Sequence, residues 1–314
     1  MADKIAVLIP CYNEKLTIGQ VIDDFQAKLP DSSIYVFDNN STDCSAEVAS
    51  TRGVHVIKVP KQGKGYVVRA MFDLIAADYY IMVDADGTYP AEHVHDLLEP
   101  LKDGLADMVV GSRVGAGHKK TFRPFHRFGN ALVAKLIHWI WRTNLKDIMS
   151  GYRAYHSTVA RSLPLLTVGF EIETEMTIQA LDKGFTIIER PVPYGVRPQG
   201  SVSKLNTFRD GIKVVLLVFN IFKDYKPLTF FGGIGILLGL VSLMPGYEVI
   251  KDFLMDGSIE HIGAAVLFVG GFVLSVMFIH IGLILHSVSW KLKELYGVIR
   301  RSQTEKYSPH DRNK

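Results

Sequence analysis

Two long apolar segments in the last third of the chain constrain its architecture more than any other feature. Segments 227–250 and 262–285 contain no Asp, Glu, Lys or Arg other than Glu248. A helix of about twenty apolar residues spans the hydrocarbon core of a bilayer. The alternative is a pair of buried core helices, but two such segments in tandem favour two transmembrane helices.

The charges around these segments predict their orientation. The connection 248–261 is net acidic, whereas basic residues flank the pair on both outer sides: Lys223, Lys226, Lys291, Lys293, Arg300 and Arg301. Positively charged flanks stay in the cytoplasm, so we expect both ends inside and the short loop outside. The N-terminal sequence lacks the apolar core of a signal peptide, which agrees with a cytoplasmic N-terminal domain.

The first part of the chain, to about residue 115, alternates short apolar runs with helical patterns. The runs KIAVLIP, SIYVFDN, VHVIKVP, YYIMVDAD and DMVVGSR read as strands. Strands that alternate with helices predict an α/β fold with a mostly parallel sheet, whose ligands bind at the carboxyl ends of the strands.

Bulk composition excludes some classes of partner. The net charge is +3 over 314 residues, so there is no electrostatic basis for nucleic-acid binding and we expect none. Cys11 and Cys44 are the two cysteines, which give neither a disulfide framework nor metal-ligand spacing.

Polar residues stand where three of the predicted strands end. The first strand leads into Pro10–Glu14, the second into Asp38–Asp43, and the fourth into Asp84 and Asp86. Positions i and i+2 of an extended chain face the same side, so the two aspartates should point together. A divalent cation bound to both would relieve their repulsion, and a solvated Asp-Gly turn is the alternative. Three polar strand ends together favour a binding site.

An ordered set of motifs then narrows the class. IPCYNEKLTI, DNNSTD, GKGYVVRAMF, DADGTYP, GSR, DIMSGYRAY and RPQGSVSKL occur in the order and spacing of one family. The chain resembles the membrane-anchored family-two glycosyltransferases of the GT-A fold, of the kind that includes dolichol-phosphate mannosyltransferase. The resemblance implies inverting transfer of a sugar from a nucleotide-diphosphate sugar to a polyprenyl phosphate, with Mg2+ or Mn2+ as cofactor.

The resemblance also assigns the donor site. It implies that the base and ribose are held by Pro10, Tyr12, Asn13, Glu14 and Asp38, with Lys64 nearby. Asp84 and Asp86 would bind the metal that bridges the diphosphate. Some relatives place a Gln ligand two residues after the second Asp. Here Thr88 stands there, and its hydroxyl or a water is the candidate replacement.

The acceptor and the closing loop follow from the same motifs. The resemblance implies that Arg113, Arg123 and Arg127 contact the lipid phosphate, while Ser150, Gly151 and Tyr152 form a turn beneath the sugar, with Asp147 near its hydroxyls. Arg197, Ser203 and Lys204 would close over the donor diphosphate; a basic membrane anchor is the alternative for Arg197 and Lys204. Glu171 and Glu175 share a helical face, and a sugar contact or a solvated helix start remain open for them.

We therefore expect a GT-A domain over 1–205, an amphipathic juxtamembrane helix over 206–226, two transmembrane helices within 227–288 and a cytoplasmic tail over 289–314. The expected location is a bacterial or archaeal plasma membrane. Glycines in both spans permit a homo-oligomer. Two alternatives remain open, a glycosyltransferase acting directly on a saccharide or lipid acceptor, and a non-catalytic protein that binds sugar nucleotides.

Overall fold

The structure is a computed structural model that describes residues 3–113, 124–169, 171–198, 216–217, 219–258 and 261–306. Side chains at 124–128, 256 and 299–306 are outside this description. The chain divides into two compact units, 1–215 and 216–314. The expected boundaries at 205 and 226 remain predictions.

The first unit is built on one seven-stranded sheet. The strands are β1 (Ile5–Cys11), β2 (Ser33–Asp38), β3 (His55–Lys58), β4 (Tyr79–Met82), β5 (Met108–Ser112), β6 (Arg153–His156) and β7 (Ile187–Pro191). Their order is β3-β2-β1-β4-β6-β5-β7, and β6 is antiparallel to both of its neighbours. The mostly parallel sheet is confirmed, and the five predicted runs all form strands.

Helices cover both faces of this sheet. They are α1 (Ile18–Lys28), α2 (Ser45–Ser50), α3 (Lys64–Leu74), α4 (Val94–Lys102), α5 (Pro124–Trp141), α6 (Ser157–Ser162) and α7 (Ile172–Asp182). Because β1, β2 and β4 are parallel and adjacent, the polar segments that follow them meet at one edge.

The core lies in two layers, one on each side of the sheet. Alternate residues of β1 supply both layers: Val7 and Ile9 pack with Phe25 of α1 on one side, while Leu8 packs with Met71 of α3 on the other. These side chains are fully or almost fully buried. Successive side chains of a strand point to opposite faces of the sheet. Because both faces of β1 are covered, side chains pointing to either face are buried, and this explains its continuous apolar run.

The second unit contains two long helices, α8 (Pro227–Asp256) and α9 (Ile262–Lys306). Both are long and apolar enough to cross a membrane, judged by length and composition, with mean hydropathies of 1.9 and 2.5 in their most apolar windows. Only 22% of the most apolar stretch of α8 and 6% of that of α9 is buried, which argues against buried core helices. Glycines let α8 and α9 approach closely, since a Cβ on Gly235 would lie 2.8 Å from the carbonyl oxygen of Ser275.

Candidate active site

The loop after β1 is joined to the loop after β2. The amide of Asn13 donates to Ser41 Oγ at 3.0 Å, and its side-chain oxygen accepts from the amide of Thr42 at 2.7 Å. The amide of Glu14 donates to Ser45 Oγ at 2.8 Å. Asn13 has a φ of 53°, a left-handed conformation that asparagine tolerates better than most residues. Two of the predicted polar strand ends are therefore one connected surface.

Three other predicted donor-site residues lie on the same edge. Pro10 is the second-last residue of β1 and stands opposite Phe37, and Asp38 is the buried last residue of β2. The side chain of Tyr12 is 37% exposed, so its ring lies at the surface of this edge. Asn39 connects the edge to the next loop, because its side chain donates to the carbonyl of Val59 and accepts from the amide of Gly63.

The segment after β4 fixes Asp86. Thr17 Oγ1 donates to the carbonyl oxygen of Ala85 at 2.7 Å, which ties this segment to the start of α1. Thr88 donates to Asp86 Oδ1 through both its hydroxyl (2.5 Å) and its amide (3.1 Å). Gly87 between them has a φ of 69°, which favours glycine. Thr88 thus orients Asp86 in this structure; its role as a further metal ligand stays a prediction.

Arg197 contacts the second of the two aspartates. Its Nη2 lies 2.5 Å from Asp86 Oδ2, and its Nη1 lies 3.6 Å from Glu14 Oε1. Nη1 is buried and makes no hydrogen bond within the described part of the chain. One guanidinium therefore offsets two carboxylates and keeps a donor for a further oxygen atom.

Lys64, the first residue of α3, contacts the other aspartate. Its Nζ lies 2.6 Å from Asp84 Oδ1 and also forms an ion pair with Glu173. Burial lowers the pKa of Lys64, but the negative charges of Asp84 and Glu173 outweigh burial, so the pKa is raised above its ordinary value. Lys64 stays protonated throughout the physiological pH range.

The turn 148–151 forms one wall of the site. A Cβ on Gly151 would lie 2.2 Å from Asp84 Oδ2, so only glycine fits against this carboxylate. Ser150 Oγ donates to the carbonyl of Gly111 at 2.6 Å. The fully buried Arg153 donates to the carbonyls of Ser150 and Ile148 and thereby holds the turn. The sequence motif DIMSGYRAY is thus a backbone arrangement built around Asp84.

Arg113 and Asp147 form a buried ion pair. Arg113 Nε and Nη2 donate to the two oxygens of Asp147 at 2.7 and 2.8 Å, and the amide of Arg113 donates to Asp147 as well. Burial lowers the pKa of Arg113, but the neighbouring Tyr89 and the carboxylate of Asp147 raise it well above its ordinary value. The guanidinium also lies over the ring of Tyr194. The sequence predicted that Arg113 contacts the lipid phosphate and that Asp147 lies near the sugar hydroxyls. In the structure, two of the Arg113 guanidinium nitrogens and both Asp147 oxygens are hydrogen-bonded to each other.

Some predicted site residues are not described. Arg123, Ser203 and Lys204 lie outside the described residues. Arg127 belongs to α5, but its side chain is outside the description. Their assigned roles remain predictions.

The structure adds Glu173, which the sequence analysis had not assigned to the site. Glu175, two residues on, turns to the loop and accepts from the amides of Leu166 and Thr167. Glu171 and Glu175 share a helical face, whereas Glu173 faces the interior and is only 3% exposed. No sequence signal separates Glu173 from Glu171 and Glu175, because its place between the fully buried Ile172 and Thr174 is a property of the fold.

The donor set fits a hard divalent cation. No group of three or more His, Cys, Asp or Glu side chains that could hold a metal occurs within the described ranges. Asp84 and Asp86, the predicted metal ligands, match what Mg2+ usually takes: one or two carboxylates, with water and substrate phosphates completing its shell. With Glu14 and Glu173, four carboxylates are offset by Lys64 and Arg197, which leaves two negative charges for a divalent ion.

Comparison with known proteins places this site in a family. Residues 6–163 match the family model described as glycosyl transferase family 2. The chain belongs to glycosyl transferase family 2. Glycosyltransferase AglJ of Haloferax volcanii is 33% identical over 283 residues, covering 90% of this chain and 92% of that protein. The dolichyl-phosphate hexose transferase of the same organism is 30% identical over 214 residues, covering 68% of this chain and 91% of that protein.

Solved structures agree with the family-two assignment at the level of fold. Glucosyl-3-phosphoglycerate synthase from Mycobacterium tuberculosis, in complex with Mn2+ and UDP-glucose, superposes with a TM-score of 0.56 at 20% identity. The match covers 71% of this chain and 79% of that chain. The GT-A fold is thereby confirmed, and family membership makes the protein a glycosyltransferase rather than a non-catalytic binding protein.

The contact between Gly151 and Asp84 gives a test of the site. Gly151→Ala should displace the Asp84 carboxylate, because the added methyl overlaps Oδ2. We expect a fall in transfer rate of about a hundred-fold, with a melting temperature close to that of the wild type. Gly19→Ala is the matched control, since its Cβ meets the flexible end of Arg52 and, at an ordinary contact distance of 3.4 Å, Val48 Cγ1, so it should leave the rate unchanged. Equal rates for the two variants would contradict the described position of Asp84.

Proposed function

We propose that this family-two glycosyltransferase moves a sugar from a nucleotide-diphosphate sugar to a polyprenyl phosphate of the undecaprenyl or dolichyl type. The observation that carries the proposal is the pairing of Asp84 and Asp86 with Lys64 and Arg197 at the carboxyl edge of the sheet, in a chain with two helices of membrane-spanning length. The similarity to a dolichyl-phosphate hexose transferase supports a lipid-phosphate acceptor. The product, a polyprenyl-phosphate sugar, is a donor for glycan or glycolipid assembly.

The acceptor determines the chemistry. A phosphate monoester is already ionised at neutral pH, so one of its oxygens attacks the anomeric carbon without a strong general base. As that bond forms, the bond from the anomeric carbon to the diphosphate breaks, and the nucleoside diphosphate leaves with the electron pair. In-line attack inverts the anomeric centre.

The chain's residues then serve mainly to position groups and stabilise charge. Asp84 and Asp86 would hold a divalent metal, which supplies neutralisation of the leaving diphosphate. Arg197 contacts Asp86, and its Nη1 has an N–H that makes no hydrogen bond within the described residues. The donor diphosphate can therefore bind Arg197 in place of Asp86 and Glu14. Lys64 keeps its ion pair with Asp84 when the donor binds. Glu14 and Asp38 accept hydrogen bonds from the base and ribose.

A direct assay tests the proposal. The purified full chain in detergent is mixed with Mn2+, a short polyprenyl phosphate and a panel of UDP- and GDP-sugars, and glycolipid is detected by mass spectrometry. We expect one sugar to be transferred with inversion. Asp86→Asn should lose nearly all activity yet remain folded, because it removes a proposed metal ligand and the charge that pairs with Arg197, while the amide oxygen can still accept from Thr88. Transfer to a free saccharide instead, or a wild-type rate with unchanged metal dependence in Asp86→Asn, would contradict the proposal.

The two substrates carry separate phosphates, which gives a second test. Arg123→Ala should raise the KM for polyprenyl phosphate and leave nucleotide binding nearly unchanged. Arg197→Ala should instead weaken nucleotide diphosphate binding or slow transfer. A charge-assisted phosphate contact of about 1.5–3 kcal/mol predicts changes of roughly ten- to a hundred-fold. Calorimetric titration without lipid separates the two; an equal loss of donor affinity in both variants would mean that the arginines serve one phosphate.

The proposed location is the cytoplasmic face of a membrane crossed twice. The basic flanks predict that a reporter fused after Lys314 is cytoplasmic and that one inserted near Asp256 is external. Protease protection in spheroplasts, or a paired phosphatase and fluorescent-protein fusion, makes the measurement. An external C-terminus would show that the number of spans is wrong.

A further inference from the structure

Glu173 has no role in the transfer as described so far, yet it contacts the site. It lies on α7, is 3% exposed, and forms an ion pair with Lys64. Lys64 in turn lies 2.6 Å from Asp84 Oδ1, and its side chain is only 11% exposed. A buried carboxylate costs free energy unless it is paired, so its placement requires an explanation.

The backbone around Lys64 is fixed from several directions. Gly63 has a φ of 137°, and its amide donates to Asn39 Oδ1 at 2.8 Å. The amide of Gly65 donates to the carbonyl of Val168 at 2.9 Å. A Cβ on Gly65 would lie 2.0 Å from the carbonyl oxygen of Thr167, so the loop touches the backbone directly. These contacts fix the backbone at the start of α3, and the Lys64 ammonium group lies in contact with both Asp84 and Glu173.

Lys64 contacts both Asp84 and Glu173, and this sharing determines how far its positive charge neutralises Asp84. Paired with Asp84 alone, Lys64 would neutralise a carboxylate proposed as a metal ligand. Shared with Glu173, it offsets Asp84 only in part, and the group of three keeps one net negative charge. A divalent cation at Asp84 and Asp86 is attracted by that charge.

We propose that Glu173 is a positioning residue that holds Lys64 in a shared ion pair and so keeps Asp84 negative enough to bind the divalent metal. The inference rests on the proposed function only in placing the metal at Asp84 and Asp86. It predicts that metal affinity follows the net charge of Asp84, Lys64 and Glu173.

Charge-changing variants test this dependence. Glu173→Gln removes one of the carboxylates that share Lys64, so Lys64 offsets Asp84 more fully, and Mn2+ binding should weaken about ten-fold. Lys64→Met removes the cation and should strengthen Mn2+ binding. The double variant restores the original net charge and should bind Mn2+ within about three-fold of the wild type, since both effects are electrostatic. It also removes both buried charges, so it remains folded even where Glu173→Gln alone is unstable.

The measurement is Mn2+ affinity of the full chain in detergent, by electron paramagnetic resonance of free Mn2+, with melting temperatures recorded in parallel. Glu175→Gln is the matched control on the same helix. Its side chain binds the loop amides of Leu166 and Thr167, and a glutamine oxygen still accepts from them, so Mn2+ affinity should not change.

Three outcomes are possible. The charge-dependent order of affinities supports the inference. Lower melting temperatures with equal Mn2+ affinities overturn it, because Glu173 would then be purely structural. If Asp86→Asn binds Mn2+ as well as the wild type does, the metal position itself is wrong, and the inference falls with that part of the proposed function. The Asp86→Asn variant thus distinguishes a wrong role for Glu173 from a wrong position for the metal.

Discussion

Repulsion among carboxylates at one edge of the sheet is the constraint on which the rest of the site depends. Glu14, Asp84 and Asp86 follow parallel strands that the fold brings together, and Glu173 reaches the same place from α7. Such a group folds only if cations lie within it. Lys64 and Arg197 provide them, and each contacts two carboxylates. These ion pairs leave two of the four negative charges for a divalent cation.

Most of this edge could be predicted from the sequence because local patterns determine it. The alternation of apolar runs and helices specified the parallel strands and so placed Asp84 and Asp86 at the carboxyl end of β4. That the two carboxylates face the same side stays a prediction, because both lie beyond the last strand residue, Met82. Strands β6 and β7 were not anticipated. β6 is four residues long, and an antiparallel strand inserted between β4 and β5 leaves no mark in the order of elements along the chain. Its position is set by tertiary pairing.

The partners of charged side chains could not be predicted in the same way. Arg113 suggested a phosphate ligand and Asp147 a sugar ligand, yet they are 34 residues apart in sequence and bind each other through three hydrogen bonds. Such a pair depends on the path of the chain between β5 and β6. Glu173 was missed for a similar reason, because its partner Lys64 is at the start of α3. The residue type indicates which ligands a side chain can bind, but the fold determines which other side chains lie within hydrogen-bonding distance of it.

The charge of the described site also bears on how two anionic substrates are accommodated. The four carboxylates exceed the two cations, so this part of the site suits a metal rather than a phosphate. A lipid phosphate and a sugar diphosphate must nevertheless approach each other closely, which costs Coulomb energy unless further positive charge is present. The bound metal is one source. The sequence predicts two more, Arg123 at the lipid phosphate and Lys204 at the donor diphosphate, and both lie outside the described residues. A site whose own carboxylates repel free phosphate therefore depends on added positive charge, and it favours transfer to a positioned lipid phosphate over binding either anion alone.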